Sequence, residues 1–259
     1  MSSTRIAATA DVKDAYRRVM DRVAQAATRA GRHPDSIHIV AVTKTASPDQ
    51  IRALVEMGHV DFGENRAQHL SQRVAQLEEF LSRRRALRRV TATNPDQPSI
   101  PSEVRWHMFG HLQRNKVKQV VPLVKLIHSV DSLRLAEEVH GVATRMDRVV
   151  DVLLQVNVSG EAGKSGVLAP AAIHLAEQID TMMHLRLRGL MAMAPMTNDP
   201  EETRPAFSRM AEIFEEIDKE GISDGHFNVL SMGMTNDFEV AIEYGANVLR
   251  IGRGLFGEG

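Results

Sequence analysis

The 259-residue sequence contains no cysteine, one tryptophan and two tyrosines, and aromatic residues make up only 4% of it. Without cysteine there is no disulfide framework, no thiolate nucleophile and no cysteine-based metal site. No apolar run approaches the roughly 20 residues of a membrane-spanning helix. The first ten residues lack the apolar segment of a signal peptide. We therefore expect a cytoplasmic protein that does not enter a membrane.

An excess of charge of either sign is also lacking, because 32 lysines and arginines stand against 33 aspartates and glutamates. A chain with a formal net charge of −1 has no general electrostatic attraction to nucleic acid. The eleven histidines include no HExxH pair, and no carboxylate spacing indicates a metal site. We expect neither nucleic acid nor metal as a partner.

Hydrophobic residues amount to 43% of the chain, and their spacing alternates between strand and helix patterns after a leading helix at 11–30. About eight βα units in this length predict a (β/α)8 barrel of the TIM type with an extra N-terminal helix, in a single domain spanning 1–259. An open, doubly wound sheet is the alternative fold. No GxGxxG or Walker A pattern opens a helix, which disfavours it. The predicted strands are 37–45, 59–63, 104–109, 126–129, 149–156, 185–191, 227–230 and 247–251.

Residues 82–103 interrupt this alternation. Five arginines are followed by Thr-Asn-Pro-Asp-Gln-Pro-Ser, which has the composition of a loop. We predict an exposed or mobile insertion that begins with a solvated helix end, although the arginines could also contact an acidic partner. These arginines are Arg83, Arg84, Arg85, Arg88 and Arg89.

The first predicted strand ends near Lys44, before the turn signal Ser47-Pro48-Asp49. The carboxyl ends of parallel strands are where α/β proteins bind their ligands. An amine there could condense with an aldehyde to form a Schiff base, provided burial or a neighbouring group lowers its pKa. The alternative is a surface lysine that only ends the strand, since lysine is usually exposed.

The segment 231–237, Ser-Met-Gly-Met-Thr-Asn-Asp, lies between a predicted strand and a predicted helix. Its backbone N–H groups and the hydroxyls of Ser231 and Thr235 could hold a phosphate, which barrels commonly bind with the loops after strands seven and eight. An ordinary helix start explains the same residues, because Asn236 and Glu239 form a variant of the capping box. From these residues alone the two interpretations are about equal.

Arg250 lies on the last predicted strand, where it alternates with Leu249 and Ile251 and therefore points to the opposite side. If that side is the barrel interior, its partner is either a ligand atom or an acidic residue of a neighbouring strand. The following Gly252 and Gly254 allow a close approach of the backbone to a ligand. They could supply the other half of a phosphate site.

Eight segments, in order, resemble the pyridoxal-phosphate homeostasis protein family, which is similar to the N-terminal barrel of alanine racemase. The most specific motifs are the strand end Ala-Val-Thr-Lys, the sequence Gly-His-Leu-Gln-x-Asn-Lys and the sequence Ser-Met-Gly-Met. The resemblance covers almost the whole chain. The segments are 40–45, 62–65, 106–116, 127–131, 155–166, 189–195, 231–237 and 248–257.

This resemblance implies pyridoxal 5′-phosphate (PLP) as the cofactor, carried by Lys44 as an internal aldimine. It implies that Arg250 faces the pyridine nitrogen. The insertion at 82–103 is longer than the family's usual connection, and Arg253 stands where small residues are common, so only its backbone is expected to contribute. The residues implied around the phosphate are Ser231, Gly233, Thr235, Gly252 and Arg253, and those around the ring are Asn65, His111, Asn157 and Met232.

An arginine at the pyridine nitrogen disfavours carbanion chemistry. Guanidinium only donates hydrogen bonds and stays charged, so the ring nitrogen stays unprotonated and the ring is a poor electron sink. A racemase also needs a base on each face of the substrate carbon, and in alanine racemase the second base is a tyrosine from a separate C-terminal domain. Here the two tyrosines, Tyr16 and Tyr244, fall within helices away from the strand ends, and the chain ends just after its last strand.

The resemblance therefore implies a PLP-binding protein that holds, delivers or buffers the cofactor without robust turnover. PLP-dependent apo-enzymes are the partners that this role implies, and we expect a monomer or a weak homo-oligomer. A racemase or related PLP enzyme, with histidine or water as its second base, is the alternative. A phosphosugar barrel enzyme without PLP is a third hypothesis.

Overall fold

The computed structural model describes residues 2–90, 101–159, 165–197 and 199–257. Every strand pairing within these ranges is parallel. The strands there are β1 His38–Val42, β2 Asp61–Glu64, β3 Arg105–Met108, β4 Leu126–Val130, β5 Val150–Asn157, β6 Val167–Leu168, β7 Leu185–Met191, β8 Val229–Ser231 and β9 Val248–Ile251.

Eight of these strands form a closed ring in the order β1-β2-β3-β4-β5-β7-β8-β9. The ring closes where β9 pairs with β1, with Val248 opposite His38 and Ile251 opposite Ala41. The two-residue β6 pairs only with the end of β5 and stands outside the ring. The predicted (β/α)8 barrel is confirmed, because an open doubly wound sheet would leave β1 and β9 unpaired with each other.

Helices surround the ring, and the first of them precedes β1 and packs against the helices Pro48–Glu56, Phe238–Glu243 and Arg253–Phe256. It is the extra N-terminal helix expected from sequence. In the described part of the chain, no helix is long and apolar enough to cross a membrane. The α-helices are α1 Ser2–Arg29, α2 Pro48–Glu56, α3 Ala67–Val90, α4 Val117–Val120, α5 Leu133–Arg145, α6 Ala172–Asp180, α7 Arg204–Lys219, α8 Phe238–Glu243 and α9 Arg253–Phe256.

The barrel interior contains polar side chains beside apolar ones. A small apolar cluster of Leu126, Leu153 and Met191 lies separate from the large apolar core, which includes residues from the strands and the surrounding helices. Because alternate residues of a strand share a face, the residue two positions after Leu126 faces the same way. That residue is His128, and it is fully buried. Val229 packs on the same small cluster, and Ser231, two positions after Val229, is also fully buried. The interior therefore combines apolar and polar side chains.

Helix α3 continues to Val90, so the first part of the predicted insertion 82–103 is helical, in agreement with the solvated helix end expected there. Arginine, alanine and leucine favour helix, and exposed ion pairs such as Arg83 with Glu79 and Arg85 with Glu78 accompany it. Residues 91–100 of the predicted insertion fall outside the described residues, and Ser102 and Glu103 at its end are exposed.

Candidate functional site

Lys44 lies in a turn directly after β1. The Ala46 N–H donates to Thr43 O (3.0 Å) and closes the turn, and the Thr43 N–H donates to Gly63 O (3.0 Å), which ties the turn to β2. The Lys44 side chain is exposed, and among the described residues it has no hydrogen-bond or ion-pair partner. The amine is therefore accessible at the carboxyl end of the barrel.

The segment after Lys44 starts α2 as the sequence indicates. Ser47 is the N-cap and Pro48 the first helical residue, and Ser47 and Gln50 form a reciprocal capping box. Gly58, with φ of +92°, follows the helix end. A rigid helix start three residues beyond Lys44 fixes where the turn leaves the barrel.

A buried carboxylate supports the Lys44 turn. Thr43 Oγ1 donates to Glu64 Oε1 (2.6 Å), and Arg73 Nε lies 3.8 Å from the same oxygen. Arg73 Nη2 also donates to Ala46 O (2.5 Å). Glu64 is fully buried, and no described residue pairs with its second oxygen, Oε2. We did not identify Glu64 or Arg73 from sequence, although Glu64 directly precedes the predicted Asn65.

The two predicted phosphate segments come together at the ends of β8 and β9. Thr235 Oγ1 accepts a hydrogen bond from Gly254 N–H (3.1 Å), and Arg250 N–H donates to Gly233 O (3.1 Å). Gly233 has φ of +90°, and a Cβ there would lie 2.7 Å from the Cβ of Ala241. Only glycine fits this position, where the backbone of the loop passes close to Phe238 and Ala241 of α8.

Several donors of this loop remain available to an anion. Within the described ranges, the N–H groups of Thr235 and Asn236 have no acceptor. The Thr235 hydroxyl accepts from Gly254, so its own proton is uncommitted. These groups fit a phosphate, which needs several converging donors.

One group in the loop opposes an anion. The Asp237 carboxylate accepts from the N–H of Met234 (2.5 Å), and burial raises the pKa of Asp237 above its ordinary value. Asp237 is also the residue before α8, and Glu239 pairs with Arg22 (2.6 Å) instead of capping the helix. The capping box that we considered from Asn236 and Glu239 is therefore not formed.

Arg250 is buried, with its guanidinium held by oxygen acceptors. Its Nη1 donates to the carbonyl (2.8 Å) and the hydroxyl (2.7 Å) of Ser231, and its Nη2 donates to Ala192 O (2.8 Å). Burial lowers the pKa of Arg250 to about 10, which leaves it charged at neutral pH. No carboxylate of the described residues lies within 4.0 Å, so the ion pair with a neighbouring strand is not formed. These three bonds do not use Nε–H, which remains for a ligand atom.

Three of the implied phosphate residues, Ser231, Arg253 and Gly252, differ in burial and position. Ser231 is fully buried, and its hydroxyl lies in the barrel interior, 2.9 Å from His128 Nδ1, rather than at the loop surface. Arg253 is the first residue of α9, and its side chain is exposed. Gly252 is buried against β1, because a Cβ there would lie 3.2 Å from the Cβ of Val42. The loops after β8 and β9 thus border the strand that leads to Lys44.

The implied ring residues occupy strand ends around the same opening. Met232 is fully buried after β8, and Asn157 is buried at the end of β5. Asn65 follows β2 and is half-buried, and His111 follows β3 and is exposed. The structure therefore brings these residues to one end of the barrel, at very different degrees of burial.

Comparison with known proteins gives consistent results. Residues 25–259 match the family profile described as alanine racemase, N-terminal domain. A pyridoxal phosphate homeostasis protein from Aquifex aeolicus is 38% identical over 245 residues, which are 93% of this chain and 95% of that protein. The crystal structure of an unknown protein from Bifidobacterium adolescentis is 37% identical, covers 96% of both chains and has a TM-score of 0.82. PipY of Synechococcus elongatus PCC7942, solved with PLP bound, is 29% identical, covers 91% of this chain and 100% of its own, and has a TM-score of 0.72.

Proposed function

This chain belongs to the pyridoxal phosphate homeostasis protein family, and from that premise we propose that it binds PLP at the carboxyl end of its barrel through a Schiff base to Lys44. In this proposal it holds and delivers the cofactor and does not turn over amino acids. PLP carries an aldehyde and a phosphate, so its site needs an amine and a cluster of anion donors. The main support is that Lys44 and the donor loop stand on neighbouring strands, β1, β9 and β8.

The covalent step is simple and reversible. The Lys44 amine adds to the aldehyde carbon, a C=N bond forms and one water leaves, and hydrolysis restores both partners. Because Lys44 is exposed, the amine can be reached from solvent without opening the barrel. Reversible capture by an accessible amine is what delivery to another protein requires.

The residues around the site support binding over racemisation. Arg250 is a charged donor without an ion-pair partner among the described residues. It can therefore donate a hydrogen bond to the pyridine nitrogen, which accepts it and stays unprotonated. Neither tyrosine is close to Lys44 along the barrel. Tyr16 lies 3.2 Å from His59, before β2, and Tyr244 follows α8 near the Arg204 guanidinium. A second base of the tyrosine type is thus absent from the described site.

Borohydride reduction tests this proposal. Protein incubated with PLP is expected to show a visible absorbance band that borohydride removes, and peptide mapping is expected to find the reduced adduct at Lys44. Lys44→Ala should abolish the adduct, and Lys118→Ala, which changes an exposed lysine of α4, should retain it. An adduct at another lysine, or none, would refute the proposal.

Two further measurements separate delivery from catalysis. Loaded protein mixed with a PLP-dependent apo-enzyme is expected to lose its visible band as the apo-enzyme gains activity. Solvent deuterium uptake at the α-carbon of alanine or serine is expected to stay at background. Uptake that depends on Lys44 would instead identify a racemase-type enzyme.

A further inference from the structure

A row of buried polar side chains crosses the barrel interior. At its lower end, where β2 and β3 begin, Arg105 binds the Asp61 carboxylate with two hydrogen bonds (2.6 and 2.5 Å). His107 Nε2 lies 3.2 Å from Asp61 Oδ1, and His107 Nδ1 lies 2.9 Å from His128 Nε2. The lower half of the row therefore joins β2, β3 and β4.

The upper half of the row ends at the candidate site. His128 Nδ1 lies 2.9 Å from Ser231 Oγ, and Ser231 Oγ accepts from Arg250 Nη1 (2.7 Å). Both His128 and Ser231 are fully buried. The row thus links a carboxylate at the amino end of the strands to the guanidinium at their carboxyl end through two imidazoles and one hydroxyl.

The lower end of the row holds an ion pair. Arg105 pairs with the Asp61 carboxylate, and His107 Nε2 lies beside the same carboxylate. Burial alone would raise the pKa of Asp61, but hydrogen bonds from His107 and Arg105 lower it below its ordinary value. Burial, together with the electrostatic effect of His107 and then of Arg250, holds the pKa of His128 well below its ordinary value.

With both imidazoles neutral, every proton in the row has a defined position. An ionised carboxylate only accepts hydrogen bonds, so His107 donates from Nε2 and its Nδ1 is an acceptor. His128 must then donate from Nε2 to His107, and its own Nδ1 accepts the Ser231 proton. Ser231 has one proton, so its oxygen is left to accept from Arg250. The Ser231 hydroxyl is consequently not a donor for a phosphate.

We propose that Asp61, His107, His128 and Ser231 form a positioning relay for Arg250. The relay holds Ser231 as an acceptor of Arg250 Nη1, and so fixes the guanidinium while its Nε–H stays free for a ligand. The role towards PLP rests on the proposed function, whereas the direction of the hydrogen bonds does not. None of the three residues before Ser231 would touch the cofactor, so they act through Arg250.

The direction of the relay is measurable in protein that carries no PLP. Nitrogen-15 NMR of the imidazole rings, assigned with His107→Gln and His128→Gln, reports which nitrogen carries the proton. In both rings the Nε2 atom is expected to carry the proton. A proton on Nδ1 of His128 would overturn the proposed direction.

The positioning role is tested by PLP retention. His128→Leu removes both hydrogen bonds and is expected to release PLP at least about tenfold faster than the wild type. In His128→Gln the amide can donate to His107 and accept from Ser231, so release should return to near the wild-type rate. The visible band of the bound cofactor should likewise change its pH titration in His128→Leu and recover in His128→Gln.

His59→Leu is the matched control. It removes another buried histidine, one that contacts Asp61 only through its backbone carbonyl (2.7 Å). Retention should be unchanged in this variant. Equal losses in His59→Leu and His128→Leu, or no loss in His128→Leu once folding is verified by circular dichroism, would overturn the role. If the wild type binds no PLP, the proposed function fails, and the NMR result alone decides the relay.

Discussion

The Thr43 hydroxyl lies 2.6 Å from Glu64 Oε1, and both side chains are fully buried at the ends of β1 and β2. This hydrogen bond connects the turn that carries Lys44 to the neighbouring strand. Glu64 Oε2 has no partner within the described chain, so Oε1 makes the contacts that keep the carboxylate in place. The position of the exposed Lys44 therefore depends on Glu64, which is fully buried.

Thr43→Val should destabilise the protein and slow PLP capture. The variant keeps the shape of the side chain but leaves a buried carboxylate without its hydroxyl donor, which costs about 1–3 kcal/mol of unfolding free energy. Thr43→Ser keeps the donor and is the control. Urea unfolding and the rate of appearance of the visible band measure the two effects. Equal behaviour of both variants would contradict the role of the hydrogen bond.

Gly233→Ala should be more harmful than Gly58→Ala, although both glycines have nearly the same φ, +90° and +92°. Alanine in that region costs about 1–2 kcal/mol at either position. At Gly233 the added Cβ would also lie 2.7 Å from the Cβ of Ala241, whereas nothing lies within 4 Å at Gly58. We expect Gly233→Ala to lose about 1–3 kcal/mol more and to weaken PLP binding. Thermal unfolding and PLP titration check this difference.

Asp237→Asn should stabilise the protein at neutral pH and tighten phosphate binding. The folded-state pKa of Asp237 is raised, so the ionised carboxylate is less favourable in the folded protein than in the unfolded chain. The amide can still accept from Met234 N–H but carries no charge. The stability gain should shrink as the pH falls through the raised folded-state pKa and should be gone below the ordinary pKa of 3.8, where Asp237 is protonated in both states. A lower melting temperature at pH 7 with weaker binding of inorganic phosphate would refute this.

Wild-type stability should fall between pH 6.5 and pH 4, in part because of His59. Burial lowers the pKa of His59 from 6.5 to about 4, so in this window the unfolded chain binds a proton that the folded protein does not. Stability from this group is complete above pH 6.5, and about 3 kcal/mol is lost as the pH reaches 4. His59→Gln should flatten that part of the profile. Urea unfolding at several pH values compares the two slopes.

Local patterns were sufficient to predict the barrel. Alternating periodicity located the strands, and residues at strand ends such as Lys44 and Arg250 gather at one opening in any parallel barrel. The start of α2 could also be predicted, because the N-cap Ser47 and the first helical residue Pro48 determine it within one helical turn. These features depend on neighbours in sequence or on the fold as a whole.

Contacts across the barrel could not be predicted in the same way. The bond between His128 and Ser231 joins residues 103 positions apart, and its existence depends on the register of strands that are not adjacent in the chain. For that reason we expected the Ser231 hydroxyl at the loop surface, where its sequence neighbours place it. The sequence indicated a helix end in the segment 82–103 but not that α3 ends at Val90, because the arginine-rich residues 83–89 carry no clear apolar periodicity.

The seam between β1 and β9 has a consequence for synthesis on the ribosome. Lys44 belongs to an early part of the polypeptide, whereas the loops at Gly233 and Gly252 are translated about two hundred residues later. A nascent chain that lacks β8 and β9 holds the amine but not the donors that are proposed to anchor the phosphate. Full affinity for the vitamin B6 cofactor should therefore arise only after both β1 and β9 have been synthesised and have paired.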